Sequence, residues 1–228
     1  MASKQKLFQG AKTGSPIAIG YLPIAVAFGA LALEAGLTVL QAVGMSAAVF
    51  AGASQFMAIG MLLSGAGPFQ IIIATFCVNL RHLIMSLTVA DRLGELPGLW
   101  KLPLSFGVTD ETFAVLSLHT GMPQGRERRL FALGLMAIAY AAWVGGTLLG
   151  GGLAHMIPPS LSSGMAVALY AMFIGLLIPA AKKVPRLAWI AVIGMGLCYI
   201  LHHFLDKGWS VVLATVLGGC VGMFIHRR

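Results

Sequence analysis

Eight stretches of the chain are almost continuously apolar, near residues 17–33, 40–63, 69–89, 102–118, 130–152, 165–181, 187–205 and 209–225. A helix of about 20 residues crosses the ~30 Å of a bilayer's hydrocarbon, and each stretch is close to that length. Most are apolar on every face rather than along one stripe. That suits helices surrounded by lipid and by one another, where an exposed backbone group would find no water. The polar stretches between them are 1–16, 90–101, 119–129 and a short one around 153–164. The pattern predicts an all-α, polytopic integral membrane helix bundle of about eight (seven or eight) transmembrane helices. Residues 1–16 are expected to form a cytoplasmic N-terminal segment and 17–228 a single membrane domain.

Composition supports this and removes the soluble alternatives. Hydrophobic residues make up 58% of the chain and charged residues 10%, and mean hydropathy is +0.90. A water-soluble domain carries about 25% charged residues. The net charge of +8 would suit nucleic acid if it formed one patch, but the basic residues lie at the edges of apolar segments and serve as topology signals. With the N-terminus in the cytoplasm and eight spans, eleven of the 15 Lys and Arg residues fall on the inner side. Arg92, Lys101 and Lys207 fall outside and Arg81 within a span. The asymmetry depends on 102–118 crossing, because otherwise Arg126, Arg128 and Arg129 would move to the outer side.

Other features add little chemistry. Lys4, Lys6 and Lys12 precede a run containing Ala30-Leu31-Ala32, a tolerable cleavage pattern, but the long polar lead and the charge count read as an uncleaved first span. Cys77, Cys198 and Cys220 lie in apolar runs without paired spacing and read as packing residues. Pairs of glycines four apart, Gly146/Gly150 and Gly218/Gly222, allow helices to approach closely. His202, His203 and Asp206 resemble a metal corner but lack a third ligand, and His119 and His155 read as loop or helix-end residues. Trp100, Trp143, Trp189 and Trp209 fit an aromatic belt. No metal site and no cofactor is implied. The absence of a phosphate loop, a dinucleotide turn or a nucleophile elbow leaves ATP-driven pumps and common hydrolases without a motif.

The chemistry is expected where polar residues interrupt the apolar runs. A charge in hydrocarbon costs at least ~2.5–3.5 kcal/mol, so it needs a partner or a purpose. The third run contains Asn79-Leu80-Arg81-His82, with Asn79 and His82 on one face and Arg81 turned by about 100° from His82. The fourth contains Thr109-Asp110-Glu111-Thr112. Arg81, which does not readily lose its proton, is expected to pair with Asp110 or Glu111. The acid left over would be desolvated beside a like charge, which favours its protonated form and makes it a candidate proton carrier. The second run contains Ala51-Gly52-Ala53-Ser54-Gln55. It reads either as an unwound helix offering backbone groups to a ligand, or as a continuous helix in which Ser54 bonds its own backbone and Gln55 a neighbour. Periodicity alone gives the continuous helix the edge.

Three motifs in order, FAGASQF (50–56), NLRHLIMS (79–86) and TDETFA (109–114), follow GYLPIAVAFG (20–29). Together they resemble the AzlC family of bacterial and archaeal branched-chain amino-acid exporters, over about the first 120 residues. The resemblance implies the large permease subunit of a secondary exporter of leucine, isoleucine, valine and sometimes methionine, driven by the proton gradient, in the cytoplasmic (inner) membrane. It also implies a small AzlD-type membrane partner. The family's motif residues correspond to Ala51, Gly52, Ser54, Gln55, Asn79, Arg81, His82, Thr109, Asp110 and Glu111. The expected substrate-binding residues are Gly52, Ser54, Gln55, Asn79, Arg81 and Asp110, with Arg81 and the backbone of 52–55 facing the amino acid's carboxylate and Asp110 its ammonium. His82, Asp110 and Glu111 are the expected proton-coupling residues. The alternative is a channel-like pore for a small solute or ion, which would use the same buried charges without coupling.

Overall fold

The computed structural model describes residues 2–94, 97–119, 123, 125–156, 174, 177–178, 181–182, 184–205 and 207–226. The described residues are helical, with no strand among them. The chain forms two compact units, Met1–Gly52 with Leu80–Pro158, and Ala53–Asn79 with Pro159–Arg228. The expected span 165–181 and the residue Asp206 lie almost wholly or wholly outside the described residues, as does most of the stretch 153–164.

Among the described residues, three helices are long and apolar enough to cross a membrane. They are α1 (Ala2–Glu34), α4 (Pro68–Leu93) and α7 (Arg126–Leu153), the last ending in a 3₁₀ turn at Ala154–Met156. The stretch 1–16 is itself helical from Ala2 onward. In the first unit α1 packs along α7 with their backbones in close contact. The contact is built from small residues: a Cβ at Gly10 would strike the Phe131 carbonyl, one at Gly134 the Leu7 carbonyl, and one at Gly150 the Val26 carbonyl. Residue numbers rise together along both helices, so α1 and α7 run parallel. Lys6 and Glu127, near their N-terminal ends, form an ion pair at 3.8 Å.

The second and fourth apolar runs are not continuous helices. The run 40–63 divides into α2 (Val39–Val49) and α3 (Gly52–Leu63). This corrects the continuous-helix reading. Thr38 starts α2 with a capping box: its hydroxyl accepts from the Gln41 N–H at 3.3 Å while the Gln41 side chain accepts from the Thr38 N–H at 2.8 Å. Phe50 ends it in the left-handed region, at φ 45°. A bulky residue takes that conformation at a cost of about 1–2 kcal/mol, and burial of its ring offsets this. The Phe50 ring meets Tyr140 at 5.1 Å and Phe106 at 6.1 Å.

The run 102–118 likewise divides, into α5 (Gly98–Phe106) and α6 (Asp110–Leu118). The α5 helix therefore begins inside the stretch expected to be a polar loop. Both breaks abut α7 through a glycine. A Cβ at Gly52 would stand 2.7 Å from the Trp143 indole, and one at Gly107 2.7 Å from the Met136 sulfur. Trp143 is 2% exposed, so it belongs to the core of this unit and not to an interfacial belt as expected.

In the second unit α8 (Arg186–Leu201) and α9 (Lys207–His226) pack together. A Cβ added at Gly218 would stand 3.6 Å from the Gly194 Cα, and one at Gly222 3.4 Å from the Ile190 side chain. Met61, Ala74 and Val212 form a small buried core with Met57, Ile71 and Trp209 against it. Along α4, Phe69, Ile72 and Phe76 are exposed, an apolar face of the kind a helix presents to lipid.

Candidate functional site

The break at 107–109 sets the first turn of α6 inside the first unit, held by the local chemistry of threonine. Thr109 is its N-cap. Its hydroxyl accepts from the Thr112 N–H at 3.3 Å, and its own N–H donates to Thr112 Oγ1 at 2.8 Å. The Thr112 hydroxyl in turn donates to the Gly107 carbonyl at 2.9 Å, closing the break on itself. Asp110 and Glu111 thus occupy the helix's first turn, where the unpaired N–H groups favour negative charge.

Arg81 on α4 meets Asp110 there, with Nη1 2.8 Å from Oδ2. Both side chains are about a third exposed, at 33% and 30%, so the pair is held without being sealed off. Arg81 Nε is buried and without a partner. Next along α4, His82 Nδ1 lies 3.0 Å from the Val108 carbonyl. A carbonyl can only accept, so Nδ1 carries a hydrogen, and Nε2 is also unpartnered. No Lys or Arg among the described residues pairs with Glu111. Its Oε2 instead accepts from the Tyr21 hydroxyl on α1.

The first break places Gly52 against Trp143 in the same unit. Ser54 and Gln55, in the second unit, are 1% and 0% exposed. Asn79 donates from Nδ2 to Ser54 Oγ at 3.1 Å, and its Oδ1 is left without a partner. The structure therefore brings Arg81, His82, Asp110 and Glu111 together in one unit and Ser54 and Asn79 together in the other. No group of three or more His, Cys, Asp or Glu residues capable of holding a metal occurs among the described residues.

Sequence reasoning missed Tyr21 and Thr112, which organise the acidic turn. A signal existed: a tyrosine hydroxyl within an apolar run needs a partner in hydrocarbon, as a charge does. It also missed a cavity of about 690 Å³ between α4 and α5, lined by Leu83, Leu87, Leu93, Leu102, Leu104 and Val108, with Ser86, Ser105 and Lys101 as its polar members. Val108 joins this cavity to the His82 contact.

These features define an α-helical membrane protein with broken helices and paired charges at one of the breaks. Residues 16–157 match the AzlC protein family, so the chain belongs to that family of membrane transport proteins. It is 36% identical over 221 residues to an uncharacterized membrane protein of Archaeoglobus fulgidus, covering 95% of this chain and 94% of that one. It is 27% identical to the inner membrane protein YgaZ of Escherichia coli, covering 96% and 89%. It is also 28% identical over 182 residues to the branched-chain amino acid transport protein AzlC of Bacillus subtilis, covering 80% and 70%. No solved structure matches the chain significantly.

Proposed function

We propose that the protein is a secondary transporter that exports branched-chain amino acids across the cytoplasmic membrane, coupled to protons, as a large subunit with a small AzlD-type partner. The observation that carries the reading is the Arg81–Asp110 pair, at 2.8 Å and only partly covered, at the start of a short helix beside an apolar cavity. An amino-acid zwitterion bears the same two charges as this pair. Its carboxylate can take Asp110's place on Arg81 while its ammonium takes Arg81's place on Asp110, so neither charge is left alone. A solute with only one of the two charges would strand a partner in a desolvated site, which costs about 3–5 kcal/mol when burial is complete and less here. The aliphatic cavity beyond Val108 suits a branched hydrocarbon side chain.

Glu111 and His82 are the proton-coupling groups in this reading. Glu111 pairs with no Lys or Arg among the described residues, and His82 Nε2 has no hydrogen-bond partner there. Gly52, Ser54, Gln55 and Asn79 stand as further substrate contacts on the strength of the sequence. The similarity to a relative named as a branched-chain amino acid transport protein supports the substrate class. Uptake of radiolabelled leucine, valine and methionine into inverted vesicles, with and without a pH gradient, tests the proposal. Gradient-stimulated accumulation of these amino acids is expected, and flux that never shows counterflow would point to a pore.

A further inference from the structure

Tyr21 sits midway along α1, 6% exposed, and the transport chemistry above makes no use of it. Its ring is fixed edge-on to Trp143 at 5.3 Å and to Phe50 at 6.3 Å. Its hydroxyl oxygen lies 2.7 Å from Thr109 Oγ1 and is bonded to Glu111 Oε2. A phenol has one hydrogen to give, so with two oxygen neighbours it donates to one and accepts from the other.

The direction is set by Glu111. As a carboxylate, Glu111 can only accept, so Tyr21 donates to it and the Thr109 hydroxyl donates to Tyr21. As a carboxylic acid, Glu111 can donate to the Tyr21 oxygen. Tyr21 then turns its hydrogen to Thr109, and Thr109 turns its own toward Thr112 Oγ1, 3.3 Å away. The Thr112 hydrogen stays on the Gly107 carbonyl. One proton on Glu111 thus turns the Tyr21 and Thr109 hydroxyls and points the latter into the capping box of α6. The other titratable groups facing Glu111 are Asp110 beside it and Arg81 and His82 from α4. The helix α7, which also packs on α6, carries Tyr140, whose hydroxyl is committed to the Ala47 carbonyl at 2.9 Å. From α1 there is Tyr21 alone, because Lys4, Lys6, Lys12 and Glu34 lie toward its ends. Arg81 is engaged by Asp110, so the hydroxyl row is the partner that responds to Glu111.

We propose that Tyr21 is a positioning residue that ties the protonation of Glu111 to the cap of α6, through a reversible Glu111–Tyr21–Thr109–Thr112 row of hydrogen bonds. It deepens the proposed function and rests on Glu111 as a coupling group. Loading Glu111 with a proton would then alter the helix end that carries Asp110, which is what linking proton and substrate requires.

Infrared difference spectra of the lipid-reconstituted protein across a pH change test this directly. The carboxyl band of Glu111 is identified by its loss in Glu111→Gln, and the C–O band of Tyr21 by its loss in Tyr21→Phe. The Tyr21 band is expected to shift with the same midpoint as the Glu111 band, and the shift should vanish in Glu111→Gln. Should Tyr21→Phe fail to fold, ring-labelled tyrosine in the unsubstituted chain and in Glu111→Gln reads the same coupling. In vesicles, Tyr21→Phe should flatten the pH profile of transport. A Tyr21 band indifferent to Glu111, or a pH profile unchanged in Tyr21→Phe, overturns the inference. Absence of valine counterflow in the unsubstituted protein would instead sink the transport reading, leaving the infrared result to decide the role of Tyr21.

Discussion

The guanidinium of Arg81 lies 2.8 Å from the carboxylate of Asp110 and so joins the middle of α4 to the first turn of α6. If the pair holds these helices together, Arg81→Ala and Asp110→Asn should each destabilise the protein by about 1–3 kcal/mol, below the value for a fully buried pair because both groups are partly exposed. The double variant should cost less than the sum of the two, since neither charge is stranded. Thermal unfolding in detergent of the three variants measures this. Strict additivity would show that the pair contributes no coupling.

Gly52 and Gly107 are two of the points at which the broken helices touch α7, and neither should tolerate a side chain. An added methyl at Gly52 stands 2.7 Å from the rigid indole of Trp143, and one at Gly107 meets Met136 at Sδ, 2.7 Å away, and at Cβ, 2.8 Å away, which only a backbone shift can move. Gly52→Ala and Gly107→Ala are each expected to lose about 1–3 kcal/mol. A melting temperature unchanged in either variant would contradict that variant's contact.

The glycine contacts between α1 and α7 make an equally sharp contrast. Gly134→Ala pushes a methyl into the Leu7 carbonyl, while the Cβ of Gly20→Ala, on the same helix pair, meets nothing within 4 Å. The first should cost upwards of about 2 kcal/mol or prevent folding. The second should be neutral or stabilise by up to about 1 kcal/mol, as alanine replaces glycine within a helix. Expression and melting temperature distinguish the pair.

Parallel packing of α1 and α7 requires an odd number of crossings between them. Lys6→Cys and Glu127→Cys, whose native side chains pair at 3.8 Å, should therefore be labelled from the cytoplasmic side by a membrane-impermeant reagent, and should cross-link to one another. Labelling of the two positions from opposite sides would break both the parity and the charge-based orientation.

Hydropathy made the long helices legible because a lipid-facing helix must be apolar throughout: 69–89 became Pro68–Leu93, and 130–152 became Arg126–Leu153. The breaks were harder to see for the same reason. Phe50, Ala51 and Gly52 are as apolar as their surroundings, and what stops the helix there is a left-handed Phe50 packed on Tyr140, a contact from 90 residues away. That Arg81 pairs with Asp110 or Glu111 followed from the cost of charge in hydrocarbon, and the choice of Asp110 shows only in the structure. The partner of Glu111 did not follow, because Tyr21 counts as apolar in a hydropathy scan and its hydroxyl shows only when α1 is laid beside α6. Trp143 was misplaced by the converse error, an interfacial residue type used to fill the core.

The account turns on Arg81 and Asp110 receiving the two charges of an amino acid. Valine counterflow in liposomes containing the purified protein, compared among the unsubstituted chain, Arg81→Ala and Asp110→Asn, addresses this most directly. Robust counterflow in the unsubstituted protein and its loss in both folded variants is the predicted result. Undiminished, proton-coupled counterflow in Asp110→Asn would contradict it.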